Sequence, residues 1–239
     1  HIIMKQNITA VILAGGFGTR YNKNSRKKIL KPLVKINKTS VLERIINIYF
    51  NQGIRNFILL GGYKFQDLQR FAFLLNKKRK LNIKAIFTGL RTETAGRLLK
   101  IKSELKNEKY FFFTYGDSLA SFNVKSALKL KTNSNYIIST FNLNFPYGNL
   151  EIKKNNLIKI NEKNHKIKIN AGFYILDNSI FNNIKSIKES FEKKTINSII
   201  KKKRKKFISV KLKNWMPMDN ENDRLKIESE LRKNAKLFN

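Results

Sequence analysis

A chain of 239 residues has room for one large core rather than two, so the sequence is read as a single domain. It contains no cysteine, which excludes a disulfide framework and thiolate metal sites and fits a reducing cytoplasm. No stretch approaches the roughly eighteen apolar residues that a membrane span needs, and nothing resembles a secretory leader. The formal net charge of +34 comes from 39 Lys and eleven Arg against 16 acidic residues. Asn, Ile and Phe are abundant beside the lysine, as an A/T-rich coding bias leaves them. Phosphate-reading surfaces favour the bidentate guanidinium, so the charge is read as drift and no specific nucleic-acid partner is expected. Residues 1–3, ahead of Met4, read as a cloning remnant.

In chain order, ITAVILAGG (8–16), FILLGG (57–62), IKAIFTG (83–89), YFFFTYGD (110–117) and YIISTFN (136–142) are short apolar runs that end in turn residues. They read as buried parallel strands. Between them, SVLERIINIYFNQG (40–53), KFQDLQRFAFLL (64–75), TAGRLLKIKSEL (94–105) and NVKSALKLK (123–131) carry apolar residues at helical spacing, with Ser40 and Asn123 as N-caps. Strand and helix in alternation imply an α/β fold with a doubly wound, mostly parallel, Rossmann-like sheet. Beyond residue 142 the pattern changes. GNLEIKKNNLIKINEK (148–163) alternates around Asn155 and Asn156 as a small added β-hairpin, INAGFYIL (169–176) is a further strand, and FISVKLKNWMPMD (207–219) is one more strand ahead of a helix from about 220. KKKRKK (201–206) reads as a solvated helix end, and Phe111, Phe112, Phe113 and Trp215 read as core.

The first strand runs into Gly15, Gly16 and Gly18, then Thr19 and Arg20. A dinucleotide fingerprint would place a third glycine where Tyr21 stands, and the Gly-Lys-Ser/Thr of a P-loop is absent. What remains is Gly-Gly-x-Gly-Thr-Arg, followed eleven residues after the arginine by Lys31 and Pro32. Backbone N–H groups of a glycine loop can wrap a triphosphate closely, and a guanidinium just beyond it can grip two phosphates.

With Thr-Arg and Lys-Pro attached, this stretch resembles the signature of the sugar-1-phosphate nucleotidyltransferases. Further segments resemble one branch, the glucose-1-phosphate cytidylyltransferases: TGLRTETAGRLLKIK (88–102), FFFTYGDSLASFNV (111–124), NEK (161–163), INAGFYIL (169–176) and WMPMDNENDRLKIESEL (215–231). The resemblance covers nearly the whole chain. It implies the nucleotidyltransferase type of Rossmann-like sheet, with residues 4–142 as the nucleotide-binding part, 143–219 as the sugar-phosphate-binding part and 220–239 as a C-terminal helix. It also implies cytidylyl transfer from CTP to a sugar 1-phosphate, most directly glucose 1-phosphate, with Mg²⁺.

In the same terms, Asp117 and Asp219 would hold the metal, Arg20 the leaving pyrophosphate, and Lys31 the charge at the α-phosphate. The nucleotide would lie against Leu13, Gly15, Gly16, Gly18, Thr19, Arg20 and Gly116. Thr88, Gly89, Thr94, Gly96 and Arg97 would frame the base, and the free N–H groups where a helix starts at Thr94 suit an anion. Tyr115, Glu162, Lys163, Asn170 and Gly172 would line the sugar phosphate, with Lys163 on its phosphate and Glu162 and Asn170 on its hydroxyls. In-line attack at the α-phosphorus needs positioning and positive charge, with no nucleophilic side chain, so the scarcity of histidine is no objection. The chain departs from the branch at Ala95, Ala171 and Ser118, each standing where glycine is usual. KKILKP (27–32) keeps one Lys-Pro of two, leaving Lys27 or Lys28 to stand in for the missing lysine. Two alternatives stay open: the same fold with another nucleotide or acceptor, and a catalytically silent basic nucleotide- or nucleic-acid-binding protein. The quaternary state stays open too, a homo-oligomer included.

Overall fold

The computed structural model describes residues 8–22, 28–145, 147–161, 165–203 and 205–238. Residues 1–3, Lys27 and the Glu162, Lys163 pair lie outside these. Strand β1 (Thr9–Leu13) leads into the single turn α1 (Thr19–Asn22). A 3-10 turn at Lys31–Leu33 and the ribbon β2 (Lys35–Ile36) and β3 (Thr39–Ser40) precede α2 (Val41–Phe50). Then come β4 (Asn56–Gly61), α3 (Phe65–Lys78), β5 (Asn82–Phe87), α4 (Thr94–Leu99), β6 (Phe111–Tyr115), β7 (Ser118–Ala120) and α5 (Val124–Leu130). The remainder holds β8 (Asn135–Phe145), the hairpin β9 (Asn149–Lys153) and β10 (Asn156–Asn161), and β11 (His165–Leu176). It closes with α6 (Asn197–Lys202), β12 (Lys206–Lys211), β13 (Trp215–Pro217) and α7 (Glu221–Lys233).

Seven strands form the main sheet in the order β12-β8-β11-β6-β1-β4-β5. β1 pairs in parallel with β4 and β6, β4 with β5, and β12 with β8. β11 runs antiparallel to both β6 and β8. The expected doubly wound, mostly parallel sheet is therefore present, with one reversed strand inserted. β8 is long enough to overshoot the sheet, and the chain returns as β11 beside it, from His165 opposite Phe145 to Ile175 opposite Ile137.

Alternation along the strands explains the continuous apolar runs. Ala10, Ile12, Phe57, Leu59 and Phe112 enter the core on one face, and Val11, Ile58, Leu60, Phe111 and Phe113 the core on the other. Both faces of each strand are buried, so both sets must be apolar. Each such Phe or Ile contributes about 1.5–3 kcal/mol on burial. On the first face α2 packs Val41, Leu42, Ile45, Ile46, Ile48 and Tyr49 inward. It starts where Ser40 Oγ accepts from Glu43 N at 3.1 Å, as expected of an N-cap. Asn123 caps α5 in the same way, accepting from Ser126 N at 2.8 Å.

Four local expectations are corrected. The helix expected over 94–105 breaks at Ile101, whose backbone leaves the helical region at φ −109° and ψ 15°, and a 3-10 turn follows at Lys102–Leu105. This turns both Ile101 and Leu105 into the core. The hairpin turns at Lys154 and Asn155, not at Asn155 and Asn156; their φ values of 48° and 69° give the paired left-handed residues of a tight hairpin. The strand expected over 207–219 divides, because β12 pairs with β8 while β13 leaves the sheet to pair with β7. The basic run is not a wholly solvated helix end. Lys201 and Lys202 close α6, but Lys205 turns inward onto Asp177.

Asp177 takes Lys205 Nζ at 2.6 Å and Lys131 Nζ at 2.9 Å on one carboxylate oxygen, and Ser179 N and Oγ on the other. Burial alone would raise this carboxyl, but the hydrogen bonds from Lys205, Ser179 and Lys131 outweigh it and hold its pKa below the usual value. A carboxyl with a depressed folded pKa stabilises above its unfolded value of about 3.9, and that contribution is lost as pH falls through the folded value. Asp177→Asn is therefore expected to lower the urea midpoint most above about pH 5, with the gap to wild type narrowing below about pH 4. A gap that stays constant across that window would refute the assignment.

Candidate active site

β1 delivers the glycine loop to the carboxyl edge of the sheet. Ala14 N donates to Leu60 O at 3.0 Å and Tyr63 N to Gly15 O at 3.2 Å, so the loop is strapped to the end of β4. Gly18 has φ +59°, and a Cβ there would stand 3.0 Å from Lys31 Cβ. This is a left-handed position hard against the Lys31 side chain, and it selects glycine. Asn22 then closes the loop: Nδ2 donates to Phe17 O and Ile29 O, and Oδ1 accepts from Ile29 N. Asn22 went unread in the sequence, where it lies among other polar residues and carries no pattern.

The charged centre is built by a ribbon. β13 pairs antiparallel with β7, placing Pro217 opposite Ser118, and Met218 N donates to Asp117 O at 2.8 Å. Asp117 and Asp219 are thereby brought to one point across a hundred residues of chain. Asp219 N is held by Asp223 Oδ2 at 2.9 Å, beside the Asn220 capping box that starts α7. Lys31 Nζ lies 3.1 Å from Asp117 Oδ2 and 3.0 Å from Asp219 Oδ1, and Arg20 Nη1 lies 2.9 Å from Asp219 Oδ2. The Lys31 ammonium is mostly buried, whereas the Arg20 guanidinium is exposed beyond its bond to Asp219.

Two carboxylates that already share one cation fit a divalent ion with a taste for hard oxygen. Among the described residues no third acidic or histidine side chain joins them. Such a pair suits Mg²⁺, which is commonly held by one or two carboxylates with substrate phosphates and water filling the octahedron.

The cleft above this centre has a volume of about 360 Å³. Of the residues singled out in the sequence, it is lined by Leu13, Gly15, Gly16, Gly18, Thr19, Arg20, Lys31, Thr94, Tyr115, Gly116 and Asp117. Ala14, Tyr21 and Pro32 line it as well and were not singled out for it. Tyr21 OH donates to Glu221 Oε2 at 2.9 Å, and burial together with that carboxylate raises its pKa to about 12. It stays a neutral donor at the rim, at the position where a dinucleotide fold would have glycine.

Thr88 and Arg97 are placed differently from expectation. Thr88 is fully buried and Arg97 nearly so. Arg97 donates to Gly61 O at 2.9 Å, Thr88 Oγ1 at 2.7 Å and Gly15 O at 3.1 Å. Those acceptors end or follow β4, β5 and β1, so the guanidinium staples the carboxyl ends of three neighbouring strands behind the cleft wall. The start of α4 is not an open anion site either: Ala95 N donates to Glu189 O, and Thr94 Oγ1 accepts from Phe191 N. Gly96 packs against the Ile187 carbonyl, which a Cβ would meet at 2.1 Å, and Gly89 turns the chain behind Thr88 with φ +99°. For Thr94, Ala95 and Gly96 the physical reason is that the 186–191 segment covers this helix end.

On the other side, Tyr115 OH donates to Glu192, and burial with the nearby Tyr174 and Glu192 raises its pKa well above the ordinary tyrosine value. Gly172 packs against the Tyr115 ring, and Asn170 Oδ1 accepts from Gly172 N at 3.0 Å. Asn170 is exposed. Lys28, a candidate stand-in for the missing lysine, donates to Asn22 O at 2.7 Å.

A glycine loop, a lysine bridging two carboxylates and an exposed arginine meet at this cleft, and residues 9–230 match the profile of the family described as Nucleotidyl transferase. The chain belongs to that family. It is 27% identical over 245 residues to the glucose-1-phosphate cytidylyltransferase of Salmonella typhimurium, covering 92% of this chain and 94% of that protein. It is 33% identical over 190 residues to the D-glycero-alpha-D-manno-heptose 1-phosphate guanylyltransferase of Campylobacter jejuni, covering 76% and 81%. HddC from Yersinia pseudotuberculosis, solved in complex with GMP-PN, superposes with a TM-score of 0.73 at 25% identity over 94% of this chain and 99% of that one. This architecture is the family's own, a mostly parallel sheet with added antiparallel hairpins. No helix among the described residues is long and apolar enough to cross a membrane.

Proposed function

We propose that this nucleotidyl transferase moves a cytidylyl group from CTP to a sugar 1-phosphate, glucose 1-phosphate foremost, releasing pyrophosphate in nucleotide-sugar synthesis. The observation that carries the proposal is the meeting of Lys31, Arg20, Asp117 and Asp219 at the mouth of the glycine-loop cleft. In this reading a phosphate oxygen of the sugar phosphate attacks the α-phosphorus of CTP, an α–β phosphoanhydride bond breaks, and its electron pair leaves on pyrophosphate. Lys31 neutralises charge at the α-phosphorus, Arg20 grips the departing pyrophosphate, and the N–H groups of residues 15–18 cradle the triphosphate. Asp117 and Asp219 would hold Mg²⁺, which supplies further charge neutralisation and orients the phosphates. Residues 4–142 bind the nucleotide and 143–219 the acceptor, with Tyr115, Gly172, Asn170 and the Glu162, Lys163 pair on the acceptor side. Thr88 and Arg97 support the nucleotide loop from behind, Gly89 and Gly96 shape the segment that carries them, and Thr94 lines the nucleotide cleft.

The choice of cytidine rests on the Thr88-Gly89 and Thr94-Ala95-Gly96-Arg97 segment and on the long match to the Salmonella enzyme. A guanylyl reading is favoured by the higher identity to the Campylobacter enzyme. Pyrophosphate release with Mg²⁺, crossing CTP, UTP, dTTP, GTP and ATP against glucose 1-phosphate and other sugar 1-phosphates, decides between them. Release confined to CTP supports the proposal. Release confined to GTP overturns the base and keeps the chemistry, and silence with every pair overturns the chemistry.

A further inference from the structure

Lys131 and Lys205 present a charge problem that the catalytic cleft does not explain. The Lys131 side chain is fully buried and that of Lys205 is 14% exposed, yet both ammonium groups converge on the same oxygen of a single carboxylate, Asp177. Two buried cations and one anion leave a positive charge over, and Lys109 adds to the field at Lys131. Uncompensated buried charge is costly. The faces of Tyr110 and Tyr136, 4.6 Å and 4.5 Å from the Lys131 and Lys205 ammoniums, offset part of it.

Beside this cluster opens a second cleft of about 340 Å³, within the range of small-molecule sites. Its walls carry Ser134, Tyr136, Ser179, Asn182, Asn183 and Lys205. It lies where β8 and β12 begin, at Asn135 and Lys206, whereas the glycine loop follows the end of β1. The two clefts therefore stand at opposite edges of the sheet. Lys205 Nζ spends two of its three N–H groups on Asp177 Oδ2 and Ser179 Oγ, and the third is left for the cleft.

We propose that this second cleft binds a small monophosphate ester of a sugar, its phosphate on Lys205 and its hydroxyl groups on Asn182, Asn183 and Ser134, since the Ser179 hydroxyl is already spent on Asp177, Lys205 and Tyr136. The surplus cation selects an anion, and an ammonium serves phosphate well as a point charge. The amide and hydroxyl groups of Asn182, Asn183 and Ser134 select a hydroxylated body over an apolar one.

Calorimetric titration of the full chain with glucose 6-phosphate, which lacks the anomeric phosphate, tests the proposal, with inorganic phosphate and glucose as the other arms. Glucose 6-phosphate is expected to bind the wild type, and Asn182→Asp, which sets a carboxylate at the exposed rim, to weaken it about ten-fold or more. Lys205→Met is expected to weaken it as well, and Lys31→Met, in the catalytic cleft, to leave it unchanged. No binding, equal binding in Asn182→Asp, or loss in Lys31→Met alone would overturn the proposal. Inorganic phosphate binding as tightly as the ester would overturn the sugar assignment. The readout is binding, so it stands apart from whether CTP is the nucleotide.

Discussion

Replacing Asp117 or Asp219 by Asn is expected to lower Mg²⁺-dependent pyrophosphate release by about a hundred- to a thousand-fold, the scale on which loss of one transition-state electrostatic partner acts. Asn keeps the volume and an acceptor oxygen for Lys31, so the effect isolates the negative charge. Both side chains are partly exposed, at 43% and 28%, and the β7–β13 ribbon that carries them is held by backbone bonds and buried Leu119. The urea midpoint of either variant should therefore stay close to that of the wild type. Turnover within a few-fold of normal, with a normal Mg²⁺ dependence, would remove these residues from the reaction. An unfolded variant would show instead that the pair is architectural.

Arg97→Met is expected to cost about 2–4 kcal/mol of folding stability, since three charge-assisted hydrogen bonds are lost together. Gly61 O keeps Thr88 N and Thr88 Oγ1 as donors, and Gly15 O keeps Tyr63 N, so no backbone acceptor is orphaned and the loss stays below that of a fully broken buried network. Burial already lowers the pKa of this guanidinium, a sign of the desolvation its three acceptors must offset. Lysine cannot span three acceptors on three strands, so Arg97→Lys should recover little. The functional consequence is positional: with the staple gone, the 15–18 loop loosens and the KM for the nucleoside triphosphate rises more than that for the sugar phosphate. Chemical denaturation together with both KM values checks this. A loss below about 1 kcal/mol, with a kcat collapse and unchanged KM values, would put Arg97 in direct contact with the reacting groups.

The contrast between Arg20 and Arg97 shows what was legible in the sequence and why the rest was not. Arg20 stands two residues after Gly18, and its neighbours dictate where it goes: the loop is local, so its chemistry is local. Arg97 was read as part of the base-binding segment from the company it keeps, yet its acceptors lie at positions 15, 61 and 88. Only the order of strands in the sheet makes those three neighbours. Asp177 and its two lysines were equally silent, because 46 and 28 residues separate them and no spacing rule links them.

By itself the sequence determined the alternation of buried strands and helices, since burial of both strand faces demands continuous apolar runs such as 111–113, and amphipathic spacing with Ser40 and Asn123 caps demands helices. It also determined the glycine loop, because Gly18 needs a left-handed backbone and the turn must clear Lys31. Tertiary structure alone decided that β11 reverses between β6 and β8, that the ribbon of β7 and β13 brings Asp117 onto Asp219, and that residues 186–191 close the start of α4. Each of these joins segments far apart in the chain. Their contacts repay loop-closure entropy only once the whole sheet has assembled, and no local pattern of residues records that balance.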